Sequence, residues 1–295
     1  MRKRGRILGL IVIAWAVLLR PAKSGEPPLE KIDQLLYKAA SEYIEEKWGA
    51  AFQDFQTVLD TANRFGYGRS ATLYIFRIWK KGSETSGTSV TPIVSDATLE
   101  RSINSLRRFD ESADPFGATG YTEGEESRLW RAYLLAQYYE VRGMPGRVVD
   151  QKREAKLVHQ RLLATKERQT ERKARLEIYL EYVNSSLELA EAYFANSDRD
   201  KCKAELASLA RFYQETFGKD VKMTEYQIIP EQGLYLAAEM PMRLSRCYRR
   251  LGMANEAKVY AGVAEKGVKE FREKLGATAE KYETRIKEIE KGLKE

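Results

Sequence analysis

The chain holds a single histidine, His159, and two cysteines, Cys202 and Cys247. An imidazole serves as a general base near neutral pH, a thiolate is a nucleophile, and the two together are zinc ligands. None of these chemistries finds its pattern here. His159 sits among lysines and arginines with no serine or cysteine motif beside it, and reads as a solvated or half-buried side chain. No His/Cys cluster has metal spacing, no glycine-rich phosphate loop occurs, and G-x-S-x-G is absent. The 43 carboxylates are spread along the whole chain and single out no pair. No catalytic residue, cofactor or metal ligand is therefore expected. An all-α enzyme would instead need a pocket of clustered, perturbed carboxylates.

The cysteines admit two readings. They lie 45 residues apart, and in an oxidising compartment a bridge closing such a loop would contribute about 4 kcal/mol in the chain-entropy model. Alternatively both are small core residues, since Cys202 falls in the slot that Ala257 fills one hairpin later.

The elements that would carry these residues are helical. Ala, Glu, Lys, Leu and Arg are abundant and proline is scarce, with eight, which favours helix over strand. In Leu244–Gly267, the residues Leu244, Ser245 and Tyr248 share one helical face, and Gly252 stands where a helix ends in a left-handed residue. Ala257, Ala261 and Ala264 then recur at steps of four and three, a small-residue stripe that lets two helices approach closely. The same spacing returns at Leu135, Ala136, Tyr139, Gly143, Val148 and Ala155, with Lys152 where a bulky apolar residue is expected. It returns again at Leu189, Ala190, Tyr193, Ser197, Cys202, Leu206 and Leu209. Ala39, Ala40 and Tyr43, followed by Ala51, Phe55 and Val58, repeat it with one residue lost between the helices.

This hairpin pattern resembles the tetratricopeptide repeat (TPR), with its Leu-Gly and Tyr on a first helix and Ala on a second. The resemblance covers roughly residues 30–64 and 125–270. It implies an all-α, right-handed solenoid of helical hairpins over 29–275. Tyr139, Tyr193 and Tyr248 are 54 and 55 residues apart, so the later hairpins are elongated. Between Arg147 and Ser197 there is no Gly or Pro, which predicts two long helices joined near Thr165–Thr170. Tyr67–Lys81 reads as a further helix stopping at Gly82, and Ser95 or Asp96 as the cap of the next one. The Ser/Thr/Gly-rich stretches before Ser95 and over Ala113–Gly124 read as loops, either connectors or binding edges. Pro241 is expected to kink its helix. Over 276–295 an apolar stripe on a charged helix predicts a C-terminal cap, or else a coiled-coil arm through which two copies associate.

In TPR proteins ligands lie on the face of each first helix opposite the core. Carried over, that implies contact residues at Tyr37, then Trp130, Tyr133 and Gln137, then Asn184 and Glu191, then Arg246. Leu187 and Met242 share this face, and Arg249 and Arg250 add a positive patch. Trp130 either anchors a peptide, as aromatic residues do at interfaces, or packs against a neighbouring hairpin.

The net charge of +7 belongs mostly to the first 24 residues, which carry six basic and no acidic side chains; the remainder has 44 basic against 43 acidic residues. A nucleic-acid partner, which needs positive excess on the folded body, is not expected. Residues 2–6, RKRGR, precede 13 apolar or glycine residues from Ile7 to Leu19. That run is short for a membrane span and suits a signal peptide over 1–24, cleaved before a spacer at 25–28, or an uncleaved anchor. The expectation is an exported protein, periplasmic or extracellular, that acts as a non-catalytic scaffold for a peptide or protein. A membrane-anchored adaptor of an envelope complex is the alternative.

Overall fold

The computed structural model describes residues 29–84, 93–109, 115–116, 121–165, 172–217 and 230–294. The leader and spacer expected over 1–28 and the middles of the two loops lie outside them. The described residues are all-α apart from turns and one two-residue antiparallel ladder, Pro115–Phe116 with Tyr121–Thr122. Among them no helix is long and apolar enough to cross a membrane. They form two compact units, divided inside one helix between Leu135 and Ala136.

The first unit contains α1 (Leu29–Ile44), α2 (Trp48–Thr61), α3 (Phe65–Glu84) and α4 (Asp96–Asn104), which tightens into a 3₁₀ turn at Ser105–Phe109. The dividing helix is α5 (Glu123–Val141). Ser95 is the cap of α4, its hydroxyl accepting the Thr98 N–H at 3.2 Å. Thr122 and Glu125 begin α5 with a reciprocal capping box, each side chain accepting the other residue's N–H at 3.1 Å. The stop predicted at Gly82 does not occur, and α3 runs on to Glu84. A single glycine costs a helix only about 1 kcal/mol, and the buried Ile78 and Trp79 hold the turn before it. Tyr74 stacks on Phe55 at 4.6 Å and meets the edge of Tyr43 at 5.0 Å, and Tyr43 in turn meets Trp48. Tyr67 donates to Asp33 at 2.9 Å, tying α3 to α1.

The second unit continues with α6 (Pro145–Thr165), α7 (Arg172–Ala195) and α8 (Arg199–Phe217). Two long helices are therefore present where predicted, and the junction expected near Thr165–Thr170 lies, past Thr165, outside the described residues. After α9 (Pro230–Leu234) comes a π turn at Tyr235–Glu239, then α10 (Met240–Arg250), α11 (Ala254–Leu275), a 3₁₀ turn at Gly276–Tyr282, and α12 (Glu283–Lys294).

One turn recurs four times, closing α1 to α2, α5 to α6, α7 to α8, and α10 to α11. In each, one residue has positive φ: Glu46 (65°), Gly143 (65°), Ser197 (62°) and Gly252 (76°). The next residue's N–H bonds back to a carbonyl five residues earlier, always at 2.9 Å: Lys47 to Glu42, Met144 to Tyr139, Asp198 to Tyr193, Met253 to Tyr248. This is the Schellman arrangement, which satisfies the orphan carbonyls of a helix end. The carbonyl of that same residue then accepts the first bond of the following helix, from Ala51, Val148, Cys202 or Ala257. The first hairpin therefore loses no residue. Aligned by its turn, Ala39 matches Ala136, and Glu42 stands where Tyr139 does. Tyr43 is one place out of the tyrosine register and goes to the aromatic cluster instead.

Inside these turns the small residues are buried as expected: Ala39, Ala136, Ala190 and Ser245 on the first helices are all 0 % exposed. Ser245 donates to the Ala257 carbonyl at 2.7 Å, fastening α10 directly to α11.

Pro241 is accommodated by the π turn before it. Met240 N–H bonds to Tyr235 O, five residues back. In that register Leu236 O would next look to residue 241, and proline has no N–H to give. The Tyr213 hydroxyl of α8 donates to Leu236 O at 3.0 Å in its place. Gly267 of α11 meets the same segment so closely that a Cβ would lie 2.0 Å from Ala237 O. Only glycine fits there.

The C-terminal apolar stripe is spent within its own unit. Val268, Phe271, Ala279, Ile286 and Ile289 form one buried cluster with Leu234, Ala237, Ala238, Met242 and Ala264. Gly276, at φ 49°, ends α11, and α12 returns against α10, where Arg249 donates to Leu293 O at 3.1 Å.

The turns give a direct test. A non-glycine residue in the left-handed region carries a penalty of about 1 kcal/mol. Ser197→Gly and Glu46→Gly should each stabilise by about 0.5–1 kcal/mol, and Gly252→Ala should destabilise by about 1 kcal/mol. Urea unfolding checks this; equal effects at all three positions would refute the shared turn.

Candidate functional site

Within each unit the contact residues implied by the resemblance differ in exposure. In the first unit Tyr37 is 53 % exposed, and Tyr133 is half-buried. Trp130 is half-buried as well, with the Arg69 guanidinium 4.6 Å above its ring. One of its ring faces is thus engaged by its own unit, in keeping with the packing alternative. One turn earlier, burial raises the Glu126 carboxyl, and Arg69 opposes part of that shift.

In the second unit Gln137 is exposed, but Asn184 accepts a hydrogen bond from Tyr235 and Glu191 pairs with Arg243 at 3.1 Å. Arg246 is half-buried and engaged within the chain. Arg249 and Arg250 are both exposed, and Arg249 donates one hydrogen bond to Leu293 O. Leu187 and Met242 are core residues, 0 % and 7 % exposed. The reason is packing: α7 lies between α6 and α8, and α10 lies against both α11 and α12, so their outward faces are covered.

What the second unit does leave open is a cleft beside the α5–α6 turn. It has a volume of about 330 Å³ and is lined by Gly143, Met144, Pro145, Val148, Ala192 and Ala195, with Glu140, Lys152, Glu188 and Glu191. The turn itself presents two large apolar side chains to solvent, Val141 and Met144, 48 % and 49 % exposed. Lys152 occupies the place filled in the next hairpin by Leu206, which is fully buried. Its ammonium reaches Glu188 of α7 at 2.8 Å, with 15 % and 32 % of the two side chains exposed. The cleft therefore has apolar walls, three carboxylates and one internal ammonium.

The polar stripe continues down α6. One turn on, Lys156 pairs with Glu205 of α8. His159 follows, 1 % exposed, with Nε2 3.7 Å from the Glu181 carboxylate of α7. The imidazole is thus a core group, deeper than the half-buried position expected. Burial pushes its pKa down to about 4. Burial also raises the Glu181 carboxyl, helped by Glu188 and Glu177. Lys152, Lys156 and His159 thus pack α6 by polar contacts, and at Lys152 the resemblance implies an apolar residue.

Cys202 and Cys247 are free thiols, both buried. Burial pushes Cys202 up to about 11 and Cys247 up to about 12, with Glu191 adding to both. A thiol held so far from its thiolate is a poor nucleophile, so the pair serves here as core. Among the described residues no group of three His, Cys, Asp or Glu side chains is gathered where a metal ion could sit.

Comparisons with protein-family models, with curated proteins and with solved structures gave no match to this chain.

The cleft was beyond sequence reasoning because its walls come from segments some 40 residues apart. Lys152, the departure from an otherwise apolar slot, was the one signal pointing to it.

His159 makes stability depend on pH with a definite sign. Its folded pKa lies below the ordinary value, so the unfolded chain takes the proton first, and stability present above pH 6.5 is lost as pH falls toward 4. The loss is about 3 kcal/mol; the raised Glu181 offsets part of it. Unfolding free energies from pH 7 to 4 should fall less steeply in His159→Gln than in the parent. Equal slopes would show that the buried imidazole is not the titrating group.

Proposed function

We propose that this chain is a non-catalytic scaffold of TPR-like build that holds a segment of a peptide or protein partner in the cleft beside the α5–α6 turn. The observation that carries this reading is the cleft itself. It combines a concave apolar wall (Met144, Pro145, Val148, Ala192 and Ala195) with polar groups at defined places, the composition of a docking site. Its exposed neighbours Val141 and Met144 add apolar surface that gains by being covered. The four repeated turns, with small buried residues on the helix before each, support the TPR-like reading. The basic, apolar leader supports export. Partner binding thus moves from the expected first-helix faces to the loop end of one hairpin.

A photo-crosslinking residue at position 144, in the full chain within its native host, should yield a discrete protein adduct. The same residue at Lys258, exposed on α11, should not. Adducts equal at both positions, or none at 144, would refute the docking role of the cleft.

A further inference from the structure

We infer that the segment held by the cleft carries a lysine or arginine beside an aliphatic residue, an inference that rests on the docking role proposed above. Charge complementarity carries it. The lining has three carboxylates, Glu140, Glu188 and Glu191, against the ammonium of Lys152, and with the Arg243 guanidinium paired to Glu191 one negative charge remains in excess. Glu188 and Glu191 stand one helical turn apart on α7, so both point to the same side.

Neither carboxylate is used up by its internal partner. Lys152 takes one oxygen of Glu188, and Arg243 takes one oxygen of Glu191. The two side chains remain 32 % and 39 % exposed, so each can accept a further charge-assisted hydrogen bond. Glu140, exposed at the end of α5, adds negative charge at the mouth. A carboxylate or phosphate entering here would meet like charge, whereas a cation is attracted.

The walls select the kind of cation. Lysine and arginine present a long aliphatic stem below the charged head, matching apolar sides with carboxylates at their edge. The exposed Met144 beside them is a flexible thioether that packs against varied aliphatic surfaces. A small inorganic cation would leave the apolar wall uncovered, and an entirely apolar peptide would bury carboxylates without compensation.

The test uses four fluorescein-labelled twelve-residue peptides, identical except for a central Lys, Arg, norleucine or Glu flanked by Leu and Val. Fluorescence anisotropy with the full chain should show saturation below about 1 mM for the Lys and Arg peptides. Binding of the norleucine and Glu peptides should be at least tenfold weaker. Glu140→Arg, a change at an exposed side chain, should weaken Lys-peptide binding about tenfold with an unchanged melting curve. Raising NaCl from 0.05 to 0.5 M should do the same by screening.

Equal binding of all four peptides at a site lost in Met144→Glu would keep the docking role and overturn the basic ligand. Absence of binding by every peptide would overturn both. Binding that appears only when Arg2, Lys3, Arg4 and Arg6 are changed to serine in the full chain would give the cleft to the chain's own basic run. A dimer dissociated by Glu140→Arg would give it to a second copy. Either outcome overturns the inference.

Discussion

A single backbone hydrogen bond, from the residue after a left-handed one to a carbonyl five places earlier, shapes this protein more than any side-chain contact. It measures 2.9 Å at all four hairpins. The bonding residue belongs to two helices at once, its N–H ending one and its C=O starting the next. That double role leaves three residues between helices and no freedom to slide one against the other. It also fixes which side chains face across the seam, which is why alanine or serine is needed at 39, 136, 190 and 245. A larger group there would push the helices apart faster than its own burial could offset. Where the chain departs from this rule it compensates: the π turn before Pro241 takes a tyrosine hydroxyl in place of a missing amide, and Gly267 yields room for the displaced backbone.

The same rigidity creates the cleft. The α5–α6 turn holds Val141 and Met144 out in solvent, while α7 brings Glu188 and Glu191 up beside it. In the next hairpin Leu206 fills the corresponding slot and is buried; here Lys152 reaches across to Glu188 instead. Buried or half-buried ion pairs seldom stabilise more than well-packed apolar groups would. Packing alone therefore does not explain Lys152, which lines the cleft, whereas Lys156 and the buried His159 lie outside its lining and tie α6 to α8 and α7.

Much of the helical plan was legible from residue spacing. The pairs Leu135–Ala136 and Leu189–Ala190, each followed by a tyrosine, located two first helices, and the long stretch without Gly or Pro correctly resolved into α6 and α7. Gly143 and Gly252 announced their turns. Ser197 was placed by the spacing around it, but Glu46 was not, because a left-handed residue that is not glycine leaves no mark in composition. That is also why the first hairpin was placed one residue out of register. The candidate site was far less legible. First-helix faces look free when each helix is considered alone, but α6 and α8 flank α7, and α11 and α12 pack on α10, so Leu187 and Met242 are covered. Sequence left Trp130 open between anchor and packed residue, because nothing nearby in the chain foretells Arg69 above its ring.

The most direct measurement is methyl NMR on the full chain labelled at the methionine methyls. Met144 stands at the cleft, half exposed, whereas Met242 belongs to the buried C-terminal cluster and Met240 is fully buried. On titration with the lysine-centred peptide, the Met144 methyl should shift and saturate while those of Met240 and Met242 stay in place. A titration that moves Met240 or Met242 and leaves Met144 unchanged would put the binding surface elsewhere and contradict a cleft built by the α5–α6 turn.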